Sequence, residues 1–213
     1  MQSDIIQQQV KEIKQSFRQM MDGKVAQSMR QKGVDYHLNW GATLPRLREM
    51  AEELKAEAQS ADLKSLAIAL WKENVRECKI LATMLMPPDE LLPEIADIWM
   101  EQTETVEMAE QLAFNLMQHV PYAAEKAFLW ISSAEDLPQI CGYHILSRLF
   151  MRKQEPNERG INEFIDQSLA ALQSTAPTLR KAAMQSIIRF ADMGIMHERI
   201  ARSAIHSINL DFL

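Results

Sequence analysis

The segment Leu66–Leu85, LAIALWKENVRECKILATML, decides the fold class. Apolar residues recur in it at intervals of three and four, so that Cys78, Leu81 and Leu85 fall on one side of a helix. After Met86, two prolines follow, Pro87 and Pro88. Because proline has no backbone N–H to donate, the helix must end before them. The segment is therefore predicted to contain an amphipathic helix with a sharp end.

The same spacing continues along the chain, and signals for strands are absent from the sequence. No Asn-Gly or Asp-Gly hairpin turn and no sustained period-2 alternation occurs. Prolines, polar breaks and capping residues divide the chain into twelve predicted helices, and Thr103 is predicted to cap the seventh. The predicted ranges are 3–21, 24–32, 43–58, 61–72, 74–86, 89–101, 103–118, 122–132, 136–151, 158–173, 177–192 and 195–208.

The connections are about 2–7 residues long, which predicts that consecutive helices are antiparallel neighbours. Repeated helical pairs of this kind predict an all-α, HEAT- or armadillo-like superhelix of about a dozen helices, with 1–213 as a single domain. A compact helical bundle is the alternative. A superhelix would have a concave face, where we expect a partner to bind, either duplex DNA or a protein.

Composition excludes several classes of function. The chain of 213 residues carries 23 basic and 29 acidic residues, a net charge of −6, which argues against a generally basic nucleic-acid binder. The first residues do not form a signal peptide, and no apolar run is long enough to cross a membrane. We therefore predict a cytoplasmic protein without a membrane partner. Cys78 and Cys141 are predicted to be buried, reduced thiols.

No cofactor and no metal is predicted. The five histidines form no His-x-x-x-His pair, and no Cys-x-x-Cys motif accompanies them. A glycine-rich phosphate loop and a Gly-x-Ser-x-Gly elbow are also absent from the sequence, which argues against nucleotide-binding and α/β-hydrolase functions.

The negative charge is concentrated in one segment. Residues 1–76 hold 12 basic and 10 acidic residues, residues 77–110 hold 1 and 9, and residues 111–213 hold 10 and 10. Between residues 89 and 110, eight acidic residues occur without one lysine or arginine. A solvated helix face is one interpretation. A cation site, or a surface that repels phosphate, is the other.

Two stretches of the sequence resemble a known family. They are Gly33–Glu52, GVDYHLNWGATLPRLREMAE, and the region from Leu66 to Met117, with Leu70-Trp71, Arg76-Glu77 and Ile80-Leu81-Ala82 at its centre. Together with later matches they resemble the DNA alkylation repair family, the HEAT-like alkylpurine DNA glycosylases, over about residues 30–208. Residues 1–29 would then be additional N-terminal helices.

The resemblance implies an all-α superhelix with a positively charged DNA groove. Active members of the family excise cationic alkylated purines without a metal or a cofactor. A carboxylate stabilises the positive charge that grows on the deoxyribose as the glycosidic bond breaks, and aromatic faces attract the same cationic region.

The family's functional positions are mostly replaced in this chain. Active members carry a tryptophan followed four residues later by an aspartate, and Val106 and Glu110 stand at these positions. Ile140 stands at an arginine that contacts DNA, in the element Ile140-Cys141-Gly142-Tyr143. A second tryptophan that faces the groove corresponds to Gln185. Glu110 is the candidate catalytic carboxylate, and Glu107 is a second candidate because neighbouring carboxylates raise each other's pKa.

Basic residues cluster at the end of the predicted helix 136–151. Arg148, Arg152 and Lys153 are candidate DNA contacts, although cations at a helix C-terminus also complement the helix dipole. Whether the chain is an enzyme stays open in the sequence. One hypothesis is a HEAT-like scaffold without ordinary alkylpurine glycosylase activity. The alternative is an active DNA glycosylase with Glu110 as the essential carboxylate. A helical protein with unrelated small-molecule binding is a third reading.

Overall fold

Helices dominate residues 2–213, which the computed structural model describes, apart from the side chains of residues 2, 3, 60 and 61. This range contains twelve α-helices and no strand, so the all-α prediction is confirmed. The helices are α1 Gln2–Gln19, α2 Gly23–Gln31, α3 Leu44–Glu57, α4 Ser60–Lys72, α5 Arg76–Leu85, α6 Pro93–Glu101, α7 Val106–Asn115, α8 Ala123–Ile131, α9 Asp136–Met151, α10 Glu158–Leu172, α11 Pro177–Ala191 and α12 Ile195–Ser207.

Prolines set several of the helix limits. α5 ends at Leu85, directly before Met86 and the proline pair, as predicted. The helix predicted over 89–101 is shorter than expected, because a single 3-10 turn over Pro88–Glu90 precedes it and α6 begins only at Pro93. Proline suits the first turn of a helix because the N–H groups there have no partner within the helix.

The cap of α7 differs from the prediction. Thr103 does not cap this helix; its hydroxyl donates a hydrogen bond to the carbonyl of Trp99, at 2.8 Å, in the preceding helix. α7 begins at Val106, and the hydroxyl of Thr105 accepts a hydrogen bond from the backbone N–H of Met108 at 3.1 Å. Both threonines satisfy a backbone group, but only the second lies at the N-cap position.

The chain folds as two compact units, one up to Leu116 and one over Met117–Leu213. In the first unit α5 is the central helix and packs against α3, α4 and α7. All ten of its residues are buried, including Arg76 and Glu77. The predicted apolar stripe lies within this core. Burial raises the pKa of the Cys78 thiol to about 12, so this thiol is protonated at neutral pH.

The second unit is built around α9 and α11, which pack against each other; α8 packs on α9, and α10 and α12 pack on α11. Its core contains an aromatic cluster of Tyr143, Phe150, Phe164 and Phe190. Gly142 allows α8 and α9 to approach closely, because a Cβ atom there would lie 2.8 Å from the carbonyl oxygen of Ala127. No helix within residues 2–213 is long and apolar enough to cross a bilayer.

Candidate nucleic-acid interface

The first turn of α7 carries the candidate carboxylates, and one of them is already held by a cation. The guanidinium of Arg76 donates two hydrogen bonds to Glu107, from Nε to Oε2 at 2.8 Å and from Nη2 to Oε1 at 2.6 Å. Side-chain exposure is 1% for Arg76 and 18% for Glu107. Such a bidentate pair fixes the carboxylate in one plane and neutralises its charge.

The pair shifts the pKa of its cation. Burial alone would lower the pKa of Arg76, but the hydrogen bonds and the charge of Glu107 outweigh burial, so that the pKa is raised. The guanidinium therefore stays charged, and the carboxylate of Glu107 stays beside a permanent positive charge. Both oxygens of this carboxylate are engaged by the buried cation.

Tyr36 completes the surroundings of Glu107. Its hydroxyl donates to Oε2 of Glu107 at 3.0 Å and accepts a hydrogen bond from Thr105 at 2.8 Å. Burial and the negative charge of Glu107 raise the pKa of Tyr36, so its hydroxyl remains a donor at neutral pH. The loop before α3 is therefore attached to the capped first turn of α7.

Glu77 attaches the same loop from the other side. Its fully buried carboxylate accepts backbone N–H groups from Trp40, Gly41 and Ala42 at 3.3, 3.0 and 3.1 Å. Arg76 in turn donates from Nη1 to the carbonyl of Ala42 at 2.9 Å. Gly41 has a φ of +79°, and a Cβ atom there would lie 2.3 Å from the carbonyl oxygen of Asp22. Only glycine fits this turn without strain.

We name this group of contacts the loop clamp: Tyr36, Arg76, Glu77, Thr105 and Glu107 together with the backbone of residues 40–42. Sequence reasoning did not predict it as a unit, although Arg76-Glu77 and the stretch containing Gly41 are both in the family-like segments. An Arg-Glu pair in the middle of an apolar run is a detectable signal, because charged residues are buried there only when they are paired.

Glu110, the main catalytic candidate, lies one turn after Glu107 on α7 and is half-buried, as is Val106. The other acidic residues of the segment 89–110 differ in their exposure and in their neighbours. Glu94, Glu101 and Glu104 are exposed, whereas Glu90 lies 3.6 Å from Lys64. No group of three or more His, Cys, Asp or Glu side chains within the described residues is placed to hold a metal ion.

The remaining predicted positions lie in the second unit. Ile140 is 1% exposed and belongs to the core of α9, whereas Gln185 is exposed on α11. Arg148 is half-buried. Arg152 and Lys153 are exposed, and each donates a hydrogen bond to a backbone carbonyl in another part of the unit. Arg152 donates to Gln118 at 2.6 Å, and Lys153 donates to Asp192 at 2.5 Å.

Comparison with known proteins identifies the family. A sequence model of the DNA alkylation repair enzymes matches residues 13–183, more than three quarters of the chain. The chain belongs to the DNA alkylation repair family. No curated protein matches the sequence significantly.

A solved structure supports the fold of this family member. Its protein represents a family that is described as new, as related to the HEAT-like repeat DNA glycosylases and as having affinity for branched DNA structures. The TM-score is 0.79 at 13% identity, and the match covers 93% of this chain and 82% of that chain. The likeness establishes the HEAT-like fold and confirms the fold class predicted from the sequence.

The second unit of this family member contains a histidine that is buried beside cations. His144 lies on α9 and is 7% exposed. Burial and the positive charges of Arg148 and Lys181 lower its pKa to about 4. The ring is therefore neutral in the folded protein at neutral pH, when an unfolded chain would bind a proton with a pKa of about 6.5.

We expect His144 to make stability depend on pH. Because its folded pKa is depressed, its full contribution is present above about pH 6.5 and is lost as the pH falls towards 4. The loss is about 3 kcal/mol, from roughly 1.4 kcal/mol for each unit of pKa difference. Denaturant titrations between pH 7 and pH 4 measure it as a steeper decline in the free energy of unfolding for the wild type than for His144→Gln.

The exposed His206 supplies the control. His206→Gln should decline with pH as the wild type does, because this substitution removes an exposed ring and leaves the buried His144 in place. Parallel declines for the wild type and His144→Gln would contradict the prediction.

Proposed function

We propose that this chain is a DNA-binding member of the DNA alkylation repair family that engages branched DNA and does not release ordinary alkylated purines. Family membership and the HEAT-like fold support DNA as the partner. The affinity for branched DNA is taken from the description of the structural neighbour and is carried to this chain as part of the proposal.

One observation supports the proposal that the chain does not excise alkylated purines. At the position where active members place an arginine against DNA, this chain has Ile140, which is 1% exposed in the core of α9. An isoleucine there neither reaches a phosphate nor carries a charge to pair with one. Val106 has no π-face to offer a cationic purine, and the carboxylate of Glu107 is occupied by Arg76.

The charges favour the second unit for DNA contact. The exposed carboxylates of Glu94, Glu101 and Glu104 lie on and after α6 in the first unit and oppose a phosphate backbone. Exposed cations at Arg152 and Lys153 lie in the second unit. A cytoplasmic location and a concave binding face remain predictions from the sequence.

The alternative function is an active glycosylase with Glu110 as the essential carboxylate. It is favoured by the pairing of Glu107 with Arg76, because this pairing leaves Glu110 as the other candidate carboxylate on α7. Compared with the family's aspartate, a glutamate is one methylene longer, and a misplacement of about 1 Å can cost roughly 100-fold in rate. Activity would therefore require a shifted substrate position.

The test combines excision with binding. The wild type is incubated with DNA that contains 3-methyladenine and 7-methylguanine, and base release is expected not to exceed the rate without protein. Fluorescence anisotropy with a four-way junction and with a duplex of equal length, at two salt concentrations, is expected to show tighter binding of the junction. Release that Glu110→Gln abolishes would replace the proposal with the alternative, and failure to bind any DNA at low salt would reject both.

A further inference from the structure

Two turns of the second unit are held together at one surface. The turn that follows α9 presents Lys153, whose ammonium group donates to the carbonyl of Asp192 at 2.5 Å in the turn before α12. Two residues later, Glu155 lies 2.9 Å from Nε2 of His197. The ring of His197 packs edge-on against Phe190, with centroids 4.9 Å apart. The core therefore supports both turns.

This surface exposes large apolar side chains. Ile195 and Met196, in the first turn of α12, are 71% and 65% exposed, and Met151, at the end of α9, is 50% exposed. Ile195 is the most exposed large apolar residue in the described part of the chain. Neighbouring apolar residues that are exposed on a protein surface indicate a site of contact with a partner, because they do not pack in the protein's own core.

Cations surround the apolar residues. The exposed side chains of Arg152, Lys153, Arg189 and Arg199 lie on the same two turns and on the helices that they join. Arg189 lies 3.2 Å from Asp192, and Arg202 pairs with Glu198. Arg199 has no hydrogen-bonding or ionic partner among the described residues. Counted over the two turns and the helix ends beside them, residues 148–159 hold four basic and two acidic residues, and residues 189–202 hold three and two, so positive charge exceeds negative charge here.

We name this group the turn surface: Met151, Arg152, Lys153, Arg189, Ile195, Met196 and Arg199. A continuous duplex offers phosphates to its cations, but apolar side chains enter its base stack only if base steps are first unstacked, which is energetically unfavourable. A branch point offers both, because base pairs at the junction have an open face on which apolar side chains can stack or insert. The composition of the surface therefore fits a DNA branch point better than the side of a duplex.

We propose that the turn surface binds the branch point of branched DNA, with Ile195 and Met196 against the exposed base pairs and the surrounding cations on the phosphates. This inference rests on the proposed function, since it assumes that the chain binds branched DNA. It assigns the preference for branches to two residues on α12 that lie outside the family's catalytic positions.

The test compares a four-way junction with a duplex of equal length. Ile195→Ser/Met196→Ser should weaken junction binding about 100-fold, because each of the two apolar side chains is worth roughly tenfold in affinity when it is buried on binding. Duplex binding should change less than about twofold. The matched control is Leu129→Ser, which removes a 59% exposed leucine from α8 in the same unit and should change neither affinity.

The cations are tested separately. Arg199→Gln should weaken binding to the junction and to the duplex alike and lower the slope of log affinity against log salt by about 1. A junction with 2-aminopurine at the branch point should become brighter when the wild type binds, because insertion unstacks the base. This increase should be lost in Ile195→Ser/Met196→Ser.

The results separate the two proposals. A wild type that binds junctions no better than duplex contradicts the proposed function. A wild type that prefers junctions, together with a double serine variant that retains this preference and the increase in fluorescence, overturns the turn surface alone. Loss of folding is excluded by the circular dichroism and denaturation midpoint of each variant.

Discussion

Replacement of Arg76 by methionine is expected to lower the free energy of unfolding by about 3–5 kcal/mol. Methionine keeps most of the side-chain volume but removes the charge. The guanidinium is 1% exposed and touches Glu107, Glu77 and the carbonyl of Ala42. Without it, a buried carboxylate at Glu77 and a largely buried one at Glu107 have no cation beside them, and desolvation is no longer offset.

Chemical denaturation at neutral pH measures the loss, and two further variants identify its cause. Arg46→Met removes the cation of an exposed pair, with 66% and 59% side-chain exposure for Arg46 and Glu49, and should change stability by less than about 1 kcal/mol. Arg76→Met/Glu107→Gln should recover part of the loss, because one uncompensated charge is then neutral. A double variant as unstable as the sum of both single variants would contradict this explanation.

The loop clamp should also determine which part of the first unit opens. In Arg76→Met, hydrogen exchange is expected to accelerate at the amides of Gly41 and Ala42, which donate to Glu77 in the wild type. The amides of α9 lie in the second unit and provide the internal comparison. Equal acceleration in both units would indicate global unfolding rather than release of the loop.

The helices could be predicted from the sequence because their signals are local. Prolines, apolar spacing and capping side chains act within one or two turns, which explains why the limits of most helices agree with prediction within a few residues. Thr103 and Thr105 mark the limit of such reasoning. Both have the hydroxyl that a cap requires, and only the path of the chain after α6 determines that the second one caps α7.

The loop clamp could not be predicted in the same way, because its partners are far apart in sequence. Arg76 and Glu107 are separated by 31 residues, and Tyr36 and Glu107 by 71. The family resemblance marked Arg76-Glu77 without showing what the pair binds. In contrast, the interpretation that Val106, Ile140 and Gln185 replace functional residues of the family rests on the sequence resemblance and stays a prediction. The structure adds that Ile140 is buried, so its side chain has no surface for a contact with DNA.

The turn surface shows a second limit of sequence reasoning. Arg152 and Lys153 were predicted as DNA contacts from their place at the end of α9. The sequence did not single out Ile195 and Met196, because two apolar residues at a helix start look alike whether they pack inward or face solvent. Only the fold brings the turn before α12 to Lys153 and leaves both residues exposed.

Truncation of Phe164 to alanine is expected to be the most damaging single change in the second unit, at about 3–5 kcal/mol. The ring is fully buried on α10 and lies 5.0 Å from Phe150 and 5.3 Å from Phe190, centroid to centroid. Removing it leaves a cavity among α9, α10 and α11 that rigid aromatic neighbours cannot fill. Phe164→Leu retains most of the apolar volume and should lose less.

The positions of the amides that exchange faster distinguish a local effect of Phe164→Ala from a general loss of stability. Phe190 contacts His197, and His197 contacts Glu155, so the cavity lies beneath the two turns and the start of α12, where Ile195 and Met196 lie. Phe164→Ala should therefore accelerate hydrogen exchange first in α10, α11 and the start of α12, while the amides that donate to Glu77 remain protected. Denaturation midpoints give the size of the effect. A loss for Phe164→Ala no larger than that for Leu129→Ala, an exposed truncation in the same unit, would show that the aromatic cluster does not stabilise it.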